Sequence, residues 1–206
     1  MKNTRLGKTF VTAFAFLLSV PAAMAHHLPP GLDEVDEFAE NAFMSALKHP
    51  ITGLDHWLAA LAIGFIACSL GRKQGVQSLV AFIVCMACGV FLGHAGMTVP
   101  FLEQGLAASV ILAGAALVGA SFLSREGLGM TAGLVGFWHG LAHGSEMPTV
   151  FNPVSYGFGL CFGSALIAFS AWIPDGTMPT KNVLLGRIAG GSLAAAGTGK
   201  LIASFV

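Results

Sequence analysis

The strongest constraint on this chain is a succession of apolar stretches, each ended by a polar or Pro/Gly-rich break. Residues 54–70, 76–98, 105–123, 129–146, 154–173 and 183–204 have this character, and each is close to the length that a membrane-crossing helix requires. A backbone exposed to lipid must satisfy its own hydrogen bonds, and these stretches are too long for barrel strands, so each is expected to be a helix. Only 10% of the residues are charged, against roughly 25% in a soluble domain. The expectation is an all-α, polytopic membrane protein, with a six-helix transmembrane bundle over residues 54–206.

Ahead of the bundle, Lys2, Arg5 and Lys8 precede an apolar run from Phe10 to Val20, then Pro21 and the small-residue ending Ala23-Met24-Ala25. This is the pattern of a cleaved signal peptide, residues 1–25. A retained first helix is the alternative, against which the shortness of the run counts. Residues 26–53 then form a periplasmic segment that opens with His26 and His27 and carries Asp33, Glu34, Asp36, Glu37 and Glu40. Those acids either concentrate cations outside the membrane or form a solvated face that starts an amphipathic helix.

Orientation follows from Lys and Arg in the short loops. Arg72 and Lys73, Arg125, and Lys181 with Arg187 mark three breaks as cytoplasmic, whereas the breaks around Pro100–Gln104 and Ser145–Pro153 contain no Lys or Arg. Both termini of the mature chain then face the periplasm across the inner membrane. Lys48 and Lys200 are exceptions near the outer ends.

Small residues recur at intervals of four, in Gly89/Gly93, Gly129/Gly133, Gly136/Gly140/Gly144, Gly159/Gly163 and Gly186/Gly190. Such ladders let helix backbones approach closely. They predict a tight bundle and leave homo-oligomerisation open. Cys68, Cys85, Cys88 and Cys161 all fall within apolar stretches, where a free thiol behaves as a small packing residue, and no structural disulfide is expected.

The remaining histidines all fall near the outer surface in this topology. His49, Asp55 and His56 precede or open the first stretch, His94 lies near the outward end of the second, and His139, His143 and Glu146 approach the outward end of the fourth. The i, i+4 and i+3 spacings of the last three put them on one helical stripe. Ionisable groups within spans are costly unless they face a partner, a cavity or a substrate path. Imidazole and carboxylate together suit a borderline divalent cation such as nickel, cobalt, zinc or copper(II) better than magnesium or calcium. In one continuous helix His49 and His56 would stand about 10.5 Å apart along the axis, too far to share an ion. Pro50 and Gly53 interrupt that helix and leave open whether His49 folds back over the entrance.

Two segments resemble the signatures of the HupE/UreJ family. HPITGLDHWLAALAIGF matches H-x5-D-H through His49, Asp55 and His56, and FWHGLAHGSEMP is similar to F-H-G-x-A-H-G-x-E, with His139, Gly140, His143, Gly144 and Glu146 in register. The residue before the first histidine of the second motif is Trp138 in place of Phe, with Phe137 one step earlier. The resemblance implies a nickel or cobalt permease serving a nickel enzyme such as hydrogenase or urease, with His49, Asp55, His56, His139 and Glu146 handling the metal. His143 and His94 join the candidates chiefly from their place on the helical stripe and at the outward end of the second stretch. Ni2+, with Co2+ or Zn2+ as alternatives, is then a transported substrate. No organic cofactor, nucleic-acid partner or enzymatic activity is expected. Two other readings are a haem b cytochrome, since facing histidines ligate haem, and a metallochaperone-like accessory membrane protein. A hydrolase is disfavoured because H-E-x-x-H is absent.

Overall fold

A computed structural model of the chain describes residues 42–172 and 183–205. The expected signal peptide, the acidic run, His26, His27 and the loop bearing Lys181 lie outside the described residues. Every regular element among the described residues is helical: α1 (Ala42–Thr52), α2 (Leu54–Leu70), α3 (Arg72–His94), α4 (Leu102–Val118), α5 (Arg125–Ser145), α6 (Pro153–Ala171) and α7 (Val183–Ala203). The protein is all-α, and α2 to α7 follow the apolar stretches to within about a turn. By length and composition α3 and α6 can each cross a membrane alone, and α1 with α2 supplies a third span if the bent pair counts as one. α4 is apolar but has only 17 residues, while α5 carries charged residues, two histidines and a glycine series within its 21 residues.

The glycine series explains the packing. A Cβ placed on Gly136, Gly140 or Gly144 of α5 would run into the carbonyl oxygens of Phe82, Met86 and Val90 of α3, while one on Gly89 or Gly93 of α3 would strike the backbone around Leu141 and Ser145. The two helices therefore run parallel with their backbones almost touching, at the spacing of four that the ladders predict. α4 and α7 are antiparallel and meet similarly, with Gly114 against Gly190 and Ala194. The ladders are not used throughout: a side chain on Gly129 or Gly186 would meet no atom of the described residues within 4 Å.

Residues 42–52, expected in the segment before the bundle, form α1 and pack lengthwise on α6. Phe43 lies 6.0 Å from Phe158 and 6.5 Å from Phe162 between ring centroids, and the buried Pro50 ring closes on Gly163. All four cysteines are free thiols. Cys68 donates to the Ala171 carbonyl at 3.3 Å, tying the end of α2 to the end of α6.

Helix ends sort into two groups. The start of α2 meets the end of α5 through His56 and His143, and Gln104 at the start of α4 donates to the Ser204 carbonyl just beyond α7. Arg125 at the start of α5 reaches the Gln74 side chain near the start of α3, 3.2 Å away. In each of these three contacts the two ends that meet are ones that loop charge would put on the same side.

Candidate metal centre

The site begins with a break in a helix. Pro50 has no N–H to contribute to α1, and at Gly53 the chain turns extended (φ −86°, ψ 119°) before α2 starts. The axes of α1 and α2 meet at 78°. Three donors fix the bend: Gly53 N–H donates to His49 O at 3.0 Å, the single Thr52 hydroxyl hydrogen is shared between Lys48 O and His49 O, each 3.2 Å from Oγ1, and the Trp57 indole donates across the corner to Ile51 O at 2.7 Å. The bend settles the question that the sequence leaves open. The rings of His49 and His56 stand 4.9 Å apart, edge to face, where an unbroken helix would hold them about 10.5 Å apart along its axis.

α5 supplies the other half. His143 lies 4.6 Å from His49 and 4.5 Å from His56 between ring centroids, and the Nε2 atoms of His56 and His143 are 2.5 Å apart. At that separation the two nitrogens cannot both carry a hydrogen. One ligand atom from each of His49, His56 and His143 falls within 4.8 Å of the others. Nitrogen ligands bound at about 2.1 Å to one ion stand roughly 3 Å apart, so small side-chain adjustments close this set around an ion. His56 and His143 are buried and His49 is half-buried.

His139, a turn further into α5, is 1% exposed and 5.5 Å from His56 between ring centroids. Its Nδ1 is 2.9 Å from Val135 O, and a carbonyl only accepts, so that nitrogen bears the hydrogen and Nε2 carries the lone pair. This Nε2 is buried and has no hydrogen-bond partner among the described residues. It is an acceptor awaiting a donor or a cation.

The carboxylates behave differently from the expectation of a mixed set. Asp55 is buried beside the histidines, with Oδ1 3.6 Å from His56 Nδ1, but its Oδ2 is held at 2.9 Å by Lys200 of α7. Glu146, the C-cap of α5, is exposed, although its backbone stays in the right-handed helical region and donates its N–H to Ala142 O at 3.1 Å. The inward stripe therefore stops at His143. His94, the last residue of α3, is also exposed and outside the cluster. Lys200 is the residue that sequence reasoning missed. Its signal was present, since it is a cation at an outward helix end where loop charge predicts none.

A helical membrane protein with buried imidazoles gathered at one end of its bundle is the class that this geometry defines. Residues 14–200 match the family model described as HupE / UreJ protein, and the chain belongs to that family. It is 30% identical over 160 residues to Protein HupE of Rhizobium leguminosarum bv. viciae, an alignment spanning 77% of this chain and 84% of the relative. No solved structure matches the chain.

Proposed function

We propose that the protein is an inner-membrane permease that takes up Ni2+, with Co2+ as the second candidate, from the periplasm for a nickel enzyme such as hydrogenase or urease. The family is associated with nickel and cobalt transport and is a transport and accessory family, not an enzyme family. The observation that carries the proposal is the convergence of His49, His56 and His143 from a broken helix and a glycine-seamed one. Neutral imidazole nitrogen is a donor for nickel, cobalt, zinc or copper(II) and a poor one for magnesium or calcium.

On this reading the exposed Glu146 and His94 meet the hydrated ion first, with His49 at the rim of the cluster. His56 and His143 then replace part of its water shell. The His139 Nε2 lone pair stands about 6 Å further along α5, the rise of one helical turn, and is the next donor on an inward path. Three protein ligands and no thiolate make a site that can release its ion, unlike a closed structural cage. Six spans with both mature termini in the periplasm account for the pairing of helix ends that loop charge would put on the same side.

Radiolabelled Ni2+ uptake by cells carrying this chain alone tests the proposal. Uptake above that of cells without the chain is expected, with most of it lost in His56→Ala and in His139→Ala at normal membrane abundance. A wild-type chain that reaches the membrane and carries no nickel would rule the permease out.

A further inference from the structure

Lys200 is a cation a few residues from the end of α7, and it reaches the buried carboxylate of Asp55 beside the histidines. Its ammonium is 2.9 Å from Asp55 Oδ2, and the two side chains are 26% and 6% exposed. The other oxygen, Oδ1, stops 3.6 Å short of His56 Nδ1, which is buried and has no hydrogen-bond partner among the described residues. The carboxylate is thus held by the lysine at the expense of a full hydrogen bond to the imidazole.

A carboxylate this buried is strongly disfavoured without a counter-charge, and the lysine supplies it while the site holds no ion. A divalent cation reaching the imidazoles alters that balance. It places two further positive charges within a few side-chain lengths of the ammonium, in surroundings that screen charge far less than water does. The carboxylate, now opposite a stronger field, is best used as acceptor for His56 Nδ1–H, the partner that fixes a metal-bound imidazole and raises its donor strength.

We infer that Lys200 is a built-in counter-cation of the site: it holds Asp55 while the histidines are empty and is displaced when a divalent cation binds His49, His56 and His143. Its repulsion keeps the affinity low enough for the ion to leave inward. This rests on the metal site proposed above and adds to it a residue of the last helix that sets affinity without touching the ion.

The experiment is titration of the purified full-length protein in detergent with Ni2+. Lys200→Met removes the charge and keeps the length, and is expected to bind Ni2+ about tenfold more tightly or better, a modest share of the Coulomb interaction it deletes. Lys200→Arg is expected to stay within about threefold of wild type, since the charge remains. In an Asp55→Asn background Lys200→Met should still tighten binding, but by less than in wild type, since the direct repulsion is removed while no carboxylate is left to release. Unchanged or weaker Ni2+ binding by Lys200→Met would overturn the inference.

Should Lys200→Met fail to reach the membrane, amine labelling of the wild-type protein decides. Labelling of Lys200 relative to Lys73 should rise at saturating Ni2+, and no change would overturn the inference. Wild-type protein that binds no Ni2+ at all would refute the metal site itself and this inference with it. Wild-type binding with an unaltered Lys200→Met refutes only the role of Lys200.

Discussion

The two halves of the histidine cluster are held in opposite ways. His143 and His139 ride on α5, whose backbone is locked against α3 by Gly136, Gly140 and Gly144 lying on the carbonyls of Phe82, Met86 and Val90. His49 and His56 flank a corner of 78° that rests on a few hydrogen bonds and on the absence of a side chain at Gly53, where a Cβ would come within 2.8 Å of His56 Nδ1. One half is a rigid rail and the other a bracket bent to meet it. The contrast shows how a sparse site can be accurate without being closed: the rail fixes depth and direction, and the bend brings ligands from neighbouring stretches of chain to one point.

The largest effects should come from removing a ligand on either side. His56→Ala and His143→Ala are each expected to lower Ni2+ uptake about tenfold or more at unchanged abundance, since too few donors then remain to replace the ion's water shell. The double variant should be scarcely worse than either single one, because residues of one site fail together. Uptake losses that multiply in the double variant would separate rail and bracket into independent sites.

The rail itself should be next in sensitivity. Gly140→Ala drives a methyl into the Met86 carbonyl, and overpacking of this kind costs about 1–3 kcal/mol. Membrane abundance should fall, as immunoblotting of membrane fractions would show. Gly129→Ala, which meets no atom of the described residues within 4 Å, should leave both abundance and uptake at wild-type levels, and equal losses in the two variants would mean that the seam is not what holds α5.

A smaller and more selective effect is expected at the bracket. Gly53→Ala should raise the KM for Ni2+ severalfold with little change in abundance, because the new methyl meets the His56 ring first, at 2.8 Å, and the His49 carbonyl less closely, at 3.3 Å. A lost protein with no intermediate phenotype would show that the bend is part of the packing and not an adjustable element of the site.

Much of this was legible from residues alone, for definite reasons. Apolar length and polar breaks locate α2 to α7, because lipid leaves a chain of this composition only the helix. The interval of four in Gly136/Gly140/Gly144 anticipates the seam, but the same interval at Gly129 meets no described neighbour, since spacing does not say which face a neighbour covers. The histidines that gather were all named, but the stripe drawn through them ends on an exposed Glu146 at the cap of α5, since spacing along a helix does not say where its neighbours stop covering that face. Pro50 and Gly53 announced a break without its angle. Lys200 appeared only as an exception to a charge rule, and its partner lies across the bundle, where pattern along the chain carries no information.

The central claim is that His49, His56 and His143 close on one ion. Nickel-edge X-ray absorption of the purified full-length protein loaded with one equivalent of Ni2+ tests it most directly. The account predicts imidazole scattering from about three rings, the rest of the shell being oxygen, falling to about two in His49→Ala with the ion still bound. A shell made only of oxygen, one containing sulfur, or an imidazole count that His49→Ala leaves unchanged would contradict it.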